Sequence, residues 1–328
     1  MTSLIDRAAV TLPVDRVAPR FPAAPAVERA LKITVLSGGP GSEREVSLKS
    51  GQAVAAALRR LGHDVTLADV RPEALQALDI PADFVFIALH GAFGEDGQVQ
   101  RLLDLRGVRY CGSGPDASAT AMDKVATKCR LVEAGVPTPR FDVVTPERLA
   151  AVAGHWSAPA VVKPIAEGSS IDVVVARTRQ ELSAGLRDLT ARYGRCMIEQ
   201  FIPGVELTVG ILGDQALPPI QIRTRRGFYD YQAKYLDDDT EYLFEIDLPA
   251  ELLARVRAMS LRAHEALGCR DFSRVDWMID RASGQPYALE INTIPGFTDH
   301  SLLPKAAARA GLDFPQLCAR IVELGMSR

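Results

Sequence analysis

Arg274 and Asp276 lie two residues apart in Ser273-Arg-Val-Asp-Trp277, and Glu290 and Asn292 lie two apart in Pro286-Tyr-Ala-Leu-Glu-Ile-Asn292. A two-residue step along a β-strand returns a side chain to the same face. Tyr287, Leu289 and Ile291 alternate with Ala288, Glu290 and Asn292, which is the period of a strand that breaks at Pro295-Gly296. Two such strands would bring two carboxylates, an amide oxygen and a guanidinium together. Oxygen ligands of this kind suit Mg²⁺ bridging nucleotide phosphates; zinc prefers His and Cys. Any one of these residues could be a polar strand end satisfied by a turn, and the paired pattern makes that reading the weaker one.

A second group could bind anions. Ala160-Val-Val-Lys-Pro164 reads as a strand end, followed by the loop Ile165-Ala-Glu-Gly-Ser-Ser170. A short Gly- and Ser-rich loop between strands can fold its N–H groups onto phosphate oxygens, and Lys163 could neutralise them. The turn Ser37-Gly-Gly-Pro-Gly41 is weaker evidence, because it does not match G-x-G-x-x-G. Residues 223–245 carry Tyr229, Tyr231, Tyr235 and Tyr242 among Asp and Arg, the composition of a functional loop.

The elements that position these groups change character along the chain. Lys32–Leu36 is a buried-type strand. Ser42-Glu-Arg-Glu45 has the S-x-x-E form of a capping box, and the helix after it ends near Gly62. His63–Val70 and Asp83–Leu89 are further strands. Strand, helix and strand in this order predict a parallel, doubly wound α/β sheet. Ligands bind beyond the carboxyl ends of such strands, so the Gly38-Gly39 turn and His90-Gly-Ala-Phe-Gly-Glu-Asp-Gly97 should face one cleft. His90 reads either as part of that cleft or as a loop histidine bonded to the backbone. Ala117–Ala134 is helical in pattern, and Gly135-Val-Pro-Thr-Pro139 looks like a hinge. From Ala160 onward the chain is hairpin material, with strands at 160–164, 173–176, 196–202 and 204–210. Residues 1–30 have no periodicity and read as a mobile arm.

At 328 residues the chain exceeds one ordinary core, so two or three domains are expected. A net charge of -3 gives no electrostatic case for nucleic acid or an anionic membrane. No apolar run approaches the roughly 18 residues of a membrane span, and the N-terminus lacks a signal-peptide core. Five widely spaced cysteines without a C-x-x-C read as reduced, mostly buried thiols of a cytoplasmic protein.

Taken together, residues 33–328 resemble D-alanine–D-alanine ligase, of the ATP-grasp superfamily. The resemblance rests on Ser42-Glu-Arg-Glu-Val-Ser-Leu48, Ala88-Leu-His-Gly91 with Gly94-Glu-Asp-Gly97, Tyr110-Cys-Gly-Ser-Gly114, Met122-Asp-Lys124 and Val162-Lys-Pro164. It continues through Glu167-Gly-Ser-Ser170, Phe228–Tyr235, Arg274-Val-Asp276, Glu290–Gly296 and His300-Ser-Leu302, in order and at sensible spacing.

The resemblance implies a three-domain ATP-grasp fold of the α/β class, with ATP held between two antiparallel sheets. The expected division is an arm at 1–30, a doubly wound substrate domain at 31–117, a central ATP-grasp domain at 118–205 and a C-terminal ATP-grasp domain at 206–328. The last would carry the metal site and the mobile loop 223–245. The implied reaction joins two D-alanines for peptidoglycan precursor synthesis. One carboxylate attacks the γ-phosphate of ATP to give a D-alanyl phosphate; the amine of the second D-alanine then displaces phosphate.

Residue by residue, the resemblance assigns Mg²⁺ (two ions, with Mn²⁺ as a substitute) to Asp276, Glu290 and Asn292. ATP would contact Lys124, Lys163, Glu167, Ser169, Ser170 and Lys234 at its phosphates, and Glu199, Phe201, Ile202 and Glu206 at adenine and ribose. Glu43 would bind the ammonium of the first D-alanine, with His90 near it, Ser301 and Leu302 would bind the carboxylate of the second, and Val46 and Ser47 are further substrate-binding positions. Arg274 and the Gly296 N–H would stabilise the tetrahedral oxyanion, while Glu43, Ser169 and Tyr235 tie the loop shut. The family also implies a homodimer and no nucleic-acid or membrane partner.

One departure falls inside the phosphate loop. Asp172 stands where the family usually has Gly, placing a negative charge beside the phosphates. Two other readings follow: the same fold with another acceptor, such as D-serine, or a nucleotide-binding regulatory protein with impaired catalysis. Tyr235 favours an amine as the second substrate over D-lactate.

Overall fold

The computed structural model describes residues 21, 29–224, 240–298 and 300–328. Residues 1–20 and 22–28 of the expected arm lie outside the described residues. So do 225–239 of the expected loop, including Lys234 and Tyr235.

The first sheet is parallel, as the alternation of strands and helices predicts. Strands β1 (Lys32–Gly38), β2 (Asp64–Val70) and β3 (Phe84–Ile87) lie in the order β2-β1-β3. The central strand is buried from Ile33 onward, which is why its sequence runs apolar instead of alternating. Helix α1 (Arg44–Arg60) covers the sheet through Val54, Ala57 and Leu58. The expected capping box is absent: Glu43, not Ser42, precedes the first turn, and no side chain caps the helix. Glu43 is instead directed elsewhere, as described below.

Helix α2 (Gln98–Leu105) follows β3. The single helix expected over 117–134 is two, α3 (Pro115–Met122) and α4 (Lys124–Glu133), broken at Asp123. Asp123 has extended backbone, and its carboxylate accepts from the N–H groups of Val125 and Ala126, the geometry of an N-cap.

The second sheet is antiparallel, in the order β4-β7-β5-β6, from β4 (Phe141–Val144), β5 (Ala160–Pro164), β6 (Val174–Ala176) and β7 (Cys196–Gln200). It packs on α5 (Leu149–His155) and α6 (Arg179–Tyr193) around Val162, Leu182, Leu186, Leu189 and Ile198. Helix α6 has a complete capping box between Thr178 and Glu181.

The third sheet runs β11-β10-β8-β12-β13, with a short β9 (Gln215–Ala216) beside β8 (Gly204–Leu212). Strands β10 (Ile220–Arg223), β11 (Glu241–Leu243), β12 (Phe272–Asp280) and β13 (Pro286–Asn292) complete it. Helix α7 (Ala250–Ala266) packs Val256, Met259 and Ala263 against Leu207, Val209 and Trp277. The last helices, α8 (Leu302–Arg309) and α9 (Phe314–Met326), return to the first sheet. There Phe297 makes edge-on contacts with Phe86 and Phe272, at 5.3 and 5.7 Å between ring centroids.

The first and last parts of the chain therefore share one core, and 206–328 is not closed on itself. The expected boundaries also fall within elements: 117/118 lies inside α3 and 205/206 inside β8.

Strands β12 and β13 pair antiparallel, with Arg274 opposite Asn292 and Asp276 opposite Glu290. The strict alternation expected along β13 is interrupted. The register slips between Asp276 and Trp277, so Ala288 faces Trp277 and Leu289 becomes an extra residue. Ala288 and Ile291 are buried in the core, while Leu289 turns to the cleft. Beyond the bulge, the pairs 274/276 and 290/292 still share a face.

Candidate active site

Two cavities meet where the three sheets converge. The larger, of about 530 Å³, lies between the second and third sheets, with Lys163, Glu199, Phe201, Ile202 and Glu206 in its wall. The smaller, of about 90 Å³, is framed by Glu43, His90, Arg274, Gly296, Ser301 and Leu302. Lys124, Glu167 and Glu290 line both, so the cavities share one polar wall.

That wall follows from local structure. Lys124 opens α4, and its N–H is fixed on the Ile165 carbonyl at 3.0 Å. Its ammonium donates to the Glu167 carbonyl and lies 3.9 Å from Glu290 Oε2. Lys163, on β5, reaches Glu199 Oε1 at 2.5 Å. The carboxylate of Glu199 has a second cation, Lys128, at 2.9 Å from Oε2. Burial raises the Glu199 pKa, but the two lysines outweigh it and hold the carboxyl at about 2. Burial in turn lowers Lys128 to about 8, although Glu199 opposes the shift.

Lys128 has no exposed surface, donates to Thr138 Oγ1 at 2.6 Å and stands over the Phe141 ring. It was not among the expected site residues. Its position four residues after Lys124 was the available signal, because that spacing puts both lysines on one helix face.

At the metal-ligand candidates, Arg274 grips Asp276 through two parallel bonds, Nε to Oδ1 at 2.9 Å and Nη2 to Oδ2 at 2.8 Å. Thr208, directly opposite on β8, donates to Asp276 Oδ1 at 2.6 Å, a contact that the sequence pattern did not suggest. Asn292 Oδ1 accepts from the Ile294 N–H at 2.9 Å. Among the described residues no trio of His, Cys, Asp or Glu side chains gathers at one point. Two carboxylates and an amide fit a hard cation that fills its coordination with phosphate and water, as Mg²⁺ does.

The smaller cavity is built by long-range ties. Glu43 is buried and accepts from the Ser169 hydroxyl. Gly91, at φ +69°, passes so close that a Cβ there would lie 2.7 Å from Glu43 Oε2. His90 Nδ1 is 3.0 Å from the Ile294 carbonyl, and Nε2 is 3.2 Å from Ser50 Oγ. A carbonyl only accepts, so Nδ1 carries a proton and donates to it, while Nε2 pairs with the Ser50 hydroxyl. Ser50 Oγ also receives the Phe297 N–H at 3.2 Å. His90 thus both lines the cavity and bonds the backbone, so its two sequence readings are not exclusive.

Glu95 lines the same cavity, 3.3 Å from His90 Nδ1. Burial raises its pKa, with the charge of Glu43 adding to the shift. Its Gly94-Glu-Asp-Gly97 motif was visible in the sequence, but Glu95 received no role.

Two expected substrate residues line neither cavity. The Ser47 hydroxyl receives the Gly38 N–H at 2.9 Å and donates to the Ala88 carbonyl at 2.8 Å, which commits it to joining β1 to the end of β3. Val46 is half-buried on α1 outside both cavities. Of the remaining expected positions, Ser169 borders the smaller cavity and Ser170 the larger. The five cysteines are all free, and four are buried.

This arrangement has known counterparts. Residues 68–113 match the family model for the D-ala D-ala ligase N-terminus, and 131–323 that for the D-ala D-ala ligase C-terminus. The D-alanine–D-alanine ligase of Syntrophotalea carbinolica is 46% identical over 293 residues, covering 89% of this chain and 95% of the relative. Among solved structures, the D-alanine–D-alanine ligase from Bacillus anthracis superposes with a TM-score of 0.80 at 36% identity, over 91% of this chain and 98% of the other. A structure of the Bacillus anthracis ligase complexed with ATP gives a TM-score of 0.77 at 33% identity over the same shares. With the two cavities, their shared lysine and carboxylate wall and these matches in hand, the chain belongs to the D-alanine–D-alanine ligase family.

Proposed function

We propose that the protein joins two D-alanines into D-alanyl-D-alanine, using ATP, to supply a peptidoglycan precursor. The observation that carries this reading is the wall common to both cavities, Lys124, Glu167 and Glu290. A carboxylate in the smaller cavity and the γ-phosphate of a nucleotide in the larger one meet there. Phosphoryl transfer depends mainly on positioning and neutralisation, which a lysine-rich, partly buried wall supplies.

In this reading Glu43 holds the ammonium of the first D-alanine, and the carboxylate of that D-alanine attacks the γ-phosphate, releasing ADP and forming a D-alanyl phosphate. Lys124 and Lys163 neutralise phosphate charge, joined by Lys234. Glu199, Phe201, Ile202 and Glu206 hold adenine and ribose. Asp276, Glu290 and Asn292 would hold Mg²⁺, which offsets charge on the phosphate oxygens when bound.

The amine of the second D-alanine, whose carboxylate is held by Ser301 and the Leu302 N–H, attacks the acyl carbon, and collapse of the tetrahedral oxyanion expels phosphate. Arg274 and the Gly296 N–H stabilise that oxyanion. Tyr235, with Ser169 and Glu43, secures the loop against water. A cytoplasmic location and a homodimer belong to the same reading. The location is supported by the free thiols.

The test is ADP release and dipeptide formation with ATP and Mg²⁺, comparing D-alanine, D-serine, L-alanine and no amino acid, with and without a chelator. The expected result is D-alanine-dependent release with D-alanyl-D-alanine formed, abolished by the chelator and restored by excess Mg²⁺. ATP binding without turnover on any D-amino acid would overturn the reading; preferential turnover of D-serine as acceptor would change the substrate.

A further inference from the structure

Asp172 occupies a backbone conformation that few L-residues adopt, with φ +57°. Ser169 and Ser170 share it, at φ +51° and +57°. The segment between β5 and β6 therefore makes two turns in succession. The Ile171 N–H donates to the Gly168 carbonyl at 3.0 Å, and the Val173 N–H to the Ser170 carbonyl at 3.4 Å. Three left-handed positions among four non-glycine residues are not favoured locally, so such a loop keeps its form only when held from outside.

Contacts to other elements hold these turns at both ends. The Ser169 hydroxyl donates to Glu43 at one end. At the other, the Asp172 carboxylate accepts from the Tyr193 hydroxyl and from Arg192 Nη1, the latter at 2.7 Å. Both donors lie at the C-terminal end of α6. Arg192 is fixed in turn by Asp188, at 3.1 Å from Nε and 2.9 Å from Nη2, and stands over the Tyr193 ring.

Ile171 and Val173, on either side of Asp172, line the larger cavity, whereas Asp172 does not. Its charge thus faces a guanidinium on the helix and lies outside the cavity lining. The hydrogen bonds from Arg192 and Tyr193 keep the Asp172 pKa below the usual carboxylate value, and Asp172 in turn raises Tyr193 to about 12. Both groups keep their bonding forms across the neutral range.

We propose that Asp172 is a positioning residue for the nucleotide, its carboxylate latching the phosphate loop onto α6 so that the loop is ordered before ATP arrives. Glycine at this position would take the same φ freely but could not form the latch. Aspartate tolerates the left-handed conformation better than most side chains, so it can supply a carboxylate at a position where few residues fit. Ordering the loop in advance reduces the entropy lost on binding. This inference rests on the ligase reading of the cleft and adds a residue to its nucleotide site.

The experiment measures equilibrium binding of ATP and of adenosine, each with Mg²⁺, to the full chain and to D172G, D172N, Y193F and D172G/Y193F, with steady-state KM for ATP and kcat alongside. D172G should weaken ATP about 5-fold, on the order of one charge-assisted hydrogen bond at a partly exposed site. Adenosine affinity and kcat at saturating ATP should not change, because the adenine wall at Glu199–Ile202 is untouched. D172N, which keeps an acceptor but loses the charge, should fall between wild type and D172G. Y193F should weaken ATP about 2-fold, and the double variant should be no worse than D172G, since D172G already removes the bond that Y193F removes.

Unchanged ATP affinity in D172G would overturn the proposal, as would a parallel loss of ATP and adenosine affinity, which is what a merely structural role produces. If D172G does not fold, the ratio of ATP to adenosine affinity in Y193F decides in the same way. Wild-type protein that binds ATP but releases no ADP with any D-amino acid would remove the ligase reading and leave the latch to be judged by binding alone.

Discussion

Ser169 donates its hydroxyl to Glu43 across 126 positions of sequence, joining the loop after β5 to the start of α1. The contact closes one side of the smaller cavity and aims a buried carboxylate at it. S169A removes a hydrogen bond to a charged group, worth about 1.5–3 kcal/mol, so kcat/KM for D-alanine should fall about 10- to 100-fold. Adenosine binding should be unaffected. Steady-state kinetics at saturating ATP measure the effect, and an unchanged kcat/KM would show that Glu43 needs no help from the loop.

One experiment can separate the structural contact of Arg274 from the catalytic role proposed for it. It holds Asp276 through a two-point fork, and it stands in the cavity where the oxyanion of the second step would form. Loss of an oxyanion donor costs on the order of 10²- to 10³-fold in kcat. R274K keeps the charge without the fork. In both R274A and R274K the yield of dipeptide per ADP should fall, because acyl phosphate that is not captured hydrolyses. Quantifying both products checks this; a slow reaction with the wild-type ratio would place Arg274 in the first step.

The sequence was most legible where local periodicity sets direction. Glu290 and Asn292 share a face because they lie two apart on a strand, and the parallel first sheet followed from its alternating elements. The bulge at Leu289 could not be read from β13, since it is a property of the pairing with β12. Lys128 was missed for a related reason. A lysine on a helix usually faces water, and this one is buried by Phe141 and Glu199 from strands distant in sequence. Asp123 was a local signal passed over, because unbroken apolar spacing on both sides disguised an N-cap. Ser47 is the opposite case: its motif is legible in the sequence, and only the fold shows that its hydroxyl bonds backbone groups of the first sheet.

Lys128 should control stability in acid. Glu199 has a folded pKa of about 2, below its ordinary 4.5, because two lysines outweigh the effect of burial. A depressed carboxyl pKa contributes stability that is fully present above pH 4.5 and is lost as pH falls through about 2. K128M leaves one lysine against the same burial, so the folded pKa rises and the loss begins at higher pH. Breaking a buried pair also costs about 3 kcal/mol or more at neutral pH. Acid titration followed by circular dichroism should give K128M a higher midpoint than wild type. Coincident midpoints, once the neutral-pH difference is subtracted, would mean that Lys163 alone holds Glu199 ionised.

Gly296 is required by space. A Cβ at this position would lie 2.5 Å from Ser301 Oγ, inside any normal contact. That oxygen receives the Thr298 N–H at 2.9 Å and is 2.9 Å from Thr298 Oγ1, so it can yield only by breaking those bonds. G296A should therefore rotate Ser301 away from the cavity while the fold adjusts at the end of one short side chain. Stability should change by less than about 1 kcal/mol. The KM for the second D-alanine should rise about 5- to 10-fold, on the order of one lost hydrogen bond to a carboxylate. The KM for ATP should stay constant, since Ser301 does not line the larger cavity. S301A measured in parallel should reproduce the change in acceptor KM without steric conflict. An acceptor KM that rises in G296A but not in S301A would assign the effect to the Gly296 backbone and not to the hydroxyl.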